Sequence, residues 1–399
     1  MRDVTLHSAL GGAILALVMP AMALRAQGDA KPDAKPDDYD KRVVDACGSN
    51  PLIRMQAAKR VAKGGAAAAA AVLRYAEAKG ASELSSELVM LLGGIEDAKL
   101  RAALETWVAD ADFAWRPQAL LALAQKAQPT ERHLFEAFLK HGSWQMRRAA
   151  VVGIANLHQD DGPRLLGKMT SDGDARVSVL AATLLLAWSG AGSADTKADA
   201  KADTLPKKPE HGEVALPVLV RGLDAEDAFF GDDFGRLARK EAFDALRKFC
   251  GQDFGYRVDA PAAERRAPLQ RFQKLCEQVL DTAIEVPQSE ALRAFSLGYE
   301  RRSCRDGDLV LRLDAQGRLW KGAFQLEQID IDEATRDELR RLARGVEAPR
   351  KTSFGRIRCD LTRFAGLGAA GNISLRAAPE SEPEAVQALG KRLVEIATR

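Results

Sequence analysis

The amino-acid sequence predicts a mainly α-helical protein, in which an α-solenoid is followed by a small α+β domain. Three observations lead to this prediction. An arginine-containing pattern recurs through the first two thirds of the chain, helix-capping residues stand at a fixed place before it, and the hydrophobic period changes to two after about residue 288. A recurrence of about 20 to 50 residues is typical of repeat proteins, whereas strict alternation is typical of half-buried strands.

The first 26 residues resemble a secretory signal peptide. Arg2 precedes a mostly apolar segment at 9–23, and small residues suited to a signal peptidase follow at Ala21 and Ala23, or at Ala26 before Gln27. The apolar core of 15 residues fits such a signal and is shorter than the about 20 residues that a membrane helix needs. We therefore expect export to the periplasm or the extracellular space, with no membrane span left after cleavage. An uncleaved N-terminal anchor is the alternative.

Two low-complexity segments share a composition of Ala, Asp, Lys and Pro. The first reads DAKPDAKPDD at 29–38, and the second occupies 190–212. Segments with so few large apolar residues cannot bury enough surface to order their backbone. We predict a tether at 27–38 and a disordered insertion at about 190–212.

Between these segments and beyond them, an arginine is followed by apolar residues three positions on and seven or eight positions on. The successive gaps between the arginines are 62, 31, 29 and 63 residues, close to multiples of 31. A missing copy falls at Ser85, where Leu88 and Leu92 keep the apolar positions. The arginines of the pattern are Arg54, Arg116, Arg147, Arg176 and Arg239.

Each copy is predicted to be a pair of helices. Four residues before four of these arginines stand Asn50, Asp112, Ser143 and Asp172, which are residue types that accept hydrogen bonds from the free N–H groups of a helix start. Pro117 is expected to shorten or kink its helix. Shorter amphipathic helices are predicted between the capped ones, at 66–79, 99–109, 131–140, 163–169 and 216–223.

The arginine in the first turn of the second helix, followed by Ala and Leu, resembles the bacterial HEAT-type repeat of about 31 residues. The resemblance covers about 40–250, and we assign 39–285 to the repeat array, with a capping segment at 251–285. It implies a scaffold that binds other proteins. It also implies that the repeat arginines join neighbouring repeats by hydrogen bonds and ion pairs.

The segment 288–399 is predicted to be a compact α+β domain with the order βββαββα. Leu309, Leu311 and Leu313 alternate with other residues, as do Ile373 and Leu375. Amphipathic helices are predicted at 332–342 and 381–398, the second opening with a capping box. The domain resembles no family that we recognise.

Composition argues against several classes of function. Lys and Arg total 58 against 56 Asp and Glu, which gives a formal net charge of +2 and no basic surface typical of nucleic-acid binding. His133 and His141 form no metal-ligand spacing. The glycine-rich segment 366–371 is interpreted as a loop, not a phosphate site. We therefore expect no nucleic-acid partner, no cofactor and no metal site.

Five cysteines leave at least one thiol outside any intramolecular disulfide. Cys304 and Cys359 are one candidate pair, and Cys250 and Cys276 are another. The alternative for each, Cys47 included, is a small buried apolar residue. The sequence decides neither the pairing nor the oligomeric state.

Two groups of residues are candidates for binding a partner. Arg116, Arg147 and Arg176 of the repeat column are one group, which would attract an acidic partner if it lined a concave face. The alternative is the structural tie described above. The second group comprises aromatic residues in loops, with packing as its alternative: Phe229, Phe230, Phe234, Phe254 and Tyr256.

The leading hypothesis is an exported, non-enzymatic scaffold that binds a protein partner. The second hypothesis is an enzyme with its active site in the C-terminal domain or at the junction with the solenoid. A lyase-like small-molecule binder is a third, by analogy with one HEAT branch. The polar residues to inspect for the enzyme hypothesis are Arg302, Asp306, Arg358 and Asp360.

Overall fold

The computed structural model describes residues 36–188, 205–225, 233–286, 295–302, 309–314, 318–321, 327–344, 361–368, 371–377 and 384–397. The predicted signal peptide, the tether up to residue 35 and residues 190–204 of the predicted insertion lie outside these ranges. The protein is mainly α-helical, as predicted. The described residues divide between Gly162 and Pro163 into two compact units.

The first unit contains eight helices among its described residues, joined by short turns and by short 3₁₀ segments at Ala81–Glu83, Leu92–Gly94 and Pro129–Glu131. The helices are α1 (Pro36–Ala46), α2 (Pro51–Val61), α3 (Gly65–Lys79), α4 (Ser86–Leu91), α5 (Ala98–Ala109), α6 (Arg116–Gln125), α7 (Arg132–Phe138) and α8 (Trp144–Leu157).

These helices pack in two series. Helices α2, α4, α6 and α8 contact one another in that order, and α1, α3 and α5 do the same. Contacts of α1 with α2, of α5 with α6 and of α7 with α8 join the two series. Small side chains permit this close packing, because Ala57, Ala119 and Ala150 are buried on helices of the first series.

The helix starts follow the predicted caps in part. Asn50 caps α2, with its side-chain oxygen accepting hydrogen bonds from the N–H groups of Leu52 (3.0 Å) and Ile53 (3.3 Å). Ser143 directly precedes α8 at the predicted position, but its side chain accepts no hydrogen bond from the helix start. The prediction for Asp112 is wrong, because α6 begins only at Arg116 and carries Pro117 in its first turn, where a proline is tolerated.

The second unit continues with helices and then turns to a sheet. Its helices are α9 (Gly162–Met169), α10 (Ala175–Trp188), α11 (Gly212–Gly222), α12 (Asp233–Cys250) and α13 (Ala262–Leu280). Helices α10, α11 and α12 contact one another, and α13 packs on α11. The predicted cap Asp172 is wrong for α10: Asp174 instead accepts a hydrogen bond from the Arg176 N–H at 2.9 Å.

The C-terminal part contains a six-stranded antiparallel sheet with the order β4-β3-β2-β1-β5-β6. The strands are β1 (Phe295–Arg302), β2 (Leu309–Asp314), β3 (Leu319–Lys321), β4 (Glu327–Ile329), β5 (Leu361–Gly368) and β6 (Gly371–Ala377); the helices are α14 (Glu333–Arg344) and α15 (Glu384–Ala397). Among the described residues, four strands thus precede α14, one more than predicted, because the short β4 pairs with β3 at the edge of the sheet.

The core of this part lies between the sheet and its two helices. On the sheet, Tyr299 of β1 lies opposite Leu311 of β2, and both are buried against Leu389 and Leu393 of α15. The interpretation of 366–371 as a loop is wrong, because Gly366 pairs with Ile373 and Gly368 with Gly371 in the β5–β6 hairpin. Among the described helices, none has the length and apolar character needed to cross a membrane.

Candidate interaction surface

The repeat arginine Arg54 ties one helix of the first unit to the next. Its guanidinium donates to the Glu87 carboxylate at 2.6 and 3.1 Å, from α2 to α4. Glu87 is buried, with 6% of its surface exposed. Charge-assisted hydrogen bonds from two guanidinium nitrogens to a carboxylate that is shielded from water fix the position of one helix relative to the other. Arg101, which lies outside the column, makes a similar pair with the buried Glu131, with Nε to Oε1 at 2.7 Å.

Arg116 and Arg147 are two of the candidate partner-binding residues. Both donate hydrogen bonds to backbone carbonyl oxygens close to them in the sequence. Arg116 donates from Nε to the Val108 carbonyl oxygen at 2.7 Å, and its guanidinium lies 5.2 Å from the Phe138 ring centre. Burial lowers the pKa of Arg116. Arg147 donates to the carbonyl oxygens of His141 (2.9 Å) and Gly142 (2.7 Å). These hydrogen bonds are internal to the protein, but they span at most eight residues and so differ from the predicted ties between neighbouring repeats.

Arg176 and Arg239 are more deeply buried in the second unit. Arg176 is 3% exposed and donates to both carboxylate oxygens of Asp174, at 2.9 and 2.5 Å. Arg239 is 5% exposed and donates to the carbonyl oxygens of Ala225 (2.6 Å) and Val258 (3.3 Å). A partner would have little access to either guanidinium.

The loop aromatics with described side chains pack inside the second unit. The Tyr256 hydroxyl donates to the Leu223 carbonyl oxygen, and its ring stacks on Phe243 at 5.2 Å. Phe254 meets Phe272 edge to face at 4.8 Å. Tyr256 also contacts Phe272 at 6.4 Å, so both residues attach the segment after α12 to α13. Phe229, Phe230 and the side chain of Phe234 lie outside the described residues.

The residues of the enzyme hypothesis fall outside the described part of the chain. This holds for Asp306, Arg358 and Asp360 and for the side chain of Arg302. Within the described ranges, no three His, Cys, Asp or Glu side chains gather where a metal ion would bind.

An apolar patch remains exposed around the turn that joins α1 to α2 in the first unit. We define it as Val44, Leu52 and Ile53, whose exposed fractions are 56%, 76% and 52%. Val44 lies in the last turn of α1, and the other two lie in the first turn of α2, so the patch flanks the intervening four-residue turn. Large apolar side chains grouped on a surface are typical of interaction sites.

This patch was not predicted from the sequence, although one pattern in α2 includes one of its residues. Ile53 precedes Ala57 by four residues, and Ala57 precedes the buried Val61 by four. Residues at this spacing share one face of a helix. The buried stripe of α2 therefore continues to Ile53, where it becomes exposed. Leu52 adds apolar surface beside the stripe.

His141 lies in a cationic environment beside this unit's repeat arginines. The Ser143 N–H donates to His141 Nδ1 at 3.0 Å, so Nδ1 accepts a hydrogen bond and is unprotonated. Burial, and then the charges of Arg116 and Arg147, lower the pKa of His141. The Phe138 ring packs at 5.7 Å from its imidazole. The fold therefore favours the neutral form of this histidine.

This preference predicts a loss of stability in mild acid. The unfolded chain binds the proton more readily than the native state, so the free energy of unfolding falls as the pH drops through the unfolded-state pKa of about 6.5. We expect the urea midpoint of the first unit to be lower at about pH 5.5 than at about pH 7.5, and His141→Gln to reduce that difference. His133→Gln is the matched control. An unchanged pH dependence in His141→Gln would contradict the prediction.

Comparison with known proteins adds no family to these observations. No protein-family model matches the chain, and no curated protein matches it.

Proposed function

We propose that the chain is an exported scaffold of the HEAT type, in which an α-solenoid binds a protein partner and no reaction is catalysed. The observation that carries the proposal is the packing of the first unit, in which alternate helices form two contacting series and leave an apolar patch exposed. We include in the proposal that 288–399 forms an α+β domain.

The arginine ties support the solenoid. Arg54 reaches a carboxylate 33 residues further on, and Arg101 reaches one 30 residues further on, so each contact spans about one repeat. A helix pair cannot bury its apolar face alone and must stack on its neighbours. In the second unit, the contact of α10 with α12 repeats the contact between alternate helices.

The proposal of export is based on the sequence of residues 1–26. The proposal of a protein partner is based on the apolar patch. Leu52 and Ile53 are exposed on a helix start that Asn50 holds in place, so they are presented on a rigid element. Preorganised apolar side chains bind with a small loss of conformational entropy. We propose a protein partner with a complementary apolar surface.

The experiment uses the full chain, tagged at its C-terminus and expressed in the source cells. We expect recovery from the envelope extract, together with a partner that stays bound at high salt because the contact is apolar. The variant Leu52→Asp/Ile53→Asp should lose that partner, with binding weakened at least about 10-fold. Both side chains are exposed, so the substitutions should leave the fold intact.

The matched control is Val214→Asp, which changes an apolar side chain of 45% exposure in the second unit. This variant should keep the partner. Equal retention by the patch variant and the wild type would refute the patch as the binding site. Recovery of the chain from the cytoplasm alone would refute export.

A further inference from the structure

Exposed cations share one face of α2 with the apolar patch. Lys59 follows Leu52 by seven positions, and both side chains are exposed. Arg60 follows Ile53 by the same number of positions and is exposed as well. Seven residues make about two helical turns, or about 10 Å along the axis. The outer face of α2 therefore presents an apolar pair followed, two turns later, by a cationic pair.

These two cations form no ion pair with any side chain in the described part of the chain. The same holds for Lys41, which is exposed one turn before Val44 on α1, and for Lys63, which is exposed just after α2. On each of the two helices, an unpaired cation thus lies one or two turns from an exposed apolar side chain.

The acidic side chains of α1 leave this positive charge in place. Asp40 pairs with Arg74 of α3 at 2.7 Å. The segment 41–63 contains six Lys and Arg residues and a single acidic residue, Asp45, which is half-buried. The surface around the patch is therefore both apolar and positively charged, and its complement is apolar and acidic.

The size of the patch limits what can cover it. The exposed fractions of its three side chains together amount to less than two whole side chains. A standard interface buries about 800 Å² on each partner, much more than two side chains supply, and the strength of membrane insertion also scales with the apolar area. The patch thus fits a short segment of a partner better than a second folded copy of this chain or a membrane surface.

We propose that the partner binds α1 and α2 through a short, acidic amphipathic helix. This inference rests on the proposed function, because it names the chemistry of the partner at the same patch. Apolar side chains of the partner helix cover the patch, and Asp or Glu side chains about two turns further along meet Lys59 and Arg60. The apolar contacts hold the complex, whereas the opposite charges fix the direction of the bound helix and speed its association.

The low-complexity and signal segments of the chain do not supply such a helix. The tether at 27–35 and residues 190–204 mix acidic residues with lysines and contain no large apolar residue. A segment without apolar anchors cannot cover the patch. Residues 9–23 are mostly apolar but contain no acidic residue to meet the cations.

The test measures the binding of two labelled helical peptides to the full chain by fluorescence anisotropy at about 0.1 M salt. The acidic probe carries Leu at positions i and i+4 and Glu at i+7 and i+11, which places all four side chains on one face. The neutral probe carries Gln in place of Glu. We expect the acidic probe to bind at least about 5-fold more tightly than the neutral probe. Lys59→Gln/Arg60→Gln should remove that difference.

The matched control is Lys79→Gln/Lys99→Gln, which removes two exposed cations from α3 and α5 of the same unit. This variant should keep the preference for the acidic probe. Equal affinity of the two probes for the wild type, or binding of neither, would overturn the proposal. Binding to phosphatidylglycerol vesicles but to neither probe would overturn it in favour of a membrane surface.

The envelope experiment separates a failure of this inference from a failure of the proposed function. If Leu52→Asp/Ile53→Asp loses the partner while the two probes bind the wild type equally, the patch is the binding site and the acidic helix is refuted. If Leu52→Asp/Ile53→Asp keeps the partner, the proposed binding site itself is refuted.

Discussion

Replacing Gly93 with alanine is expected to destabilise the first unit by about 3 kcal/mol. Gly93 lies in the 3₁₀ segment after α4, where a Cβ would come within 3.0 Å of the Ala122 carbonyl oxygen, carbonyl carbon and Cα. These are backbone atoms of α6, so no side chain can turn aside. The helices α4 and α6 would have to separate, and the contacts between them would loosen.

The neighbouring glycine provides a matched control. A Cβ at Gly94 would lie 3.5 Å from the Ala62 carbonyl oxygen, which is ordinary van der Waals contact. Gly94→Ala should therefore change the free energy of unfolding by less than about 1 kcal/mol. Urea denaturation followed by circular dichroism measures both variants. Equal effects of the two substitutions would show that α4 and α6 do not approach each other as described.

Truncating Phe272 to alanine is expected to cost the second unit about 4 kcal/mol. The ring is fully buried on α13 and contacts Phe243, Phe254 and Tyr256. Its removal would leave a cavity at the point where α13 and the loop before it meet α12. The loss of aromatic contacts adds to the loss of buried area.

Phe272→Leu tests whether volume or ring geometry dominates. Leucine keeps part of the buried volume, so we expect a smaller loss than for alanine, measured as the shift in the urea midpoint at an unchanged slope. A loss below about 1 kcal/mol for Phe272→Ala would contradict the role of this ring as the centre of the aromatic cluster.

The helical class and most helix positions could be predicted from the sequence, because they depend on local signals. The predicted helix at 99–109 and the observed α5 differ by one residue. The failures at Asp112 and Asp172 have one cause. A spacing rule assumes that every copy starts its helix at the same place, whereas Pro117 and Asp174 set later starts at their own positions.

The role of the repeat arginines could be stated only as two alternatives. The pattern located Arg116 and Arg147, but the same spacing is compatible with a charged face and with an internal tie. The acceptors are backbone carbonyl oxygens, that of Val108 in the last turn of α5 and that of Gly142 in the turn before α8. Whether such a carbonyl is available depends on where the helix ends and how the turn is folded, and the spacing of the arginines does not reveal either.

The exposure of the patch could not be predicted from local sequence patterns, for a different reason. Leu52 and Ile53 have the composition of core residues, and the stripe to which Ile53 belongs is buried from Ala57 onward. Whether the first turn of such a stripe is covered depends on where neighbouring helices end. That is a property of the packed unit.

The ties that join positions about 30 residues apart also bear on how the chain acquires its structure. Because Arg54 pairs with Glu87 and Arg101 pairs with Glu131, each of these ties joins a segment to one only about 30 residues further along the chain. Contacts of short sequence separation form quickly and carry a small loop-closure cost. A chain delivered end first, as through a translocation channel, can therefore begin to fold from its N-terminal side. The first unit can therefore fold before the sheet does. The sheet requires strands far apart in the sequence to pair, as β1 does with β5.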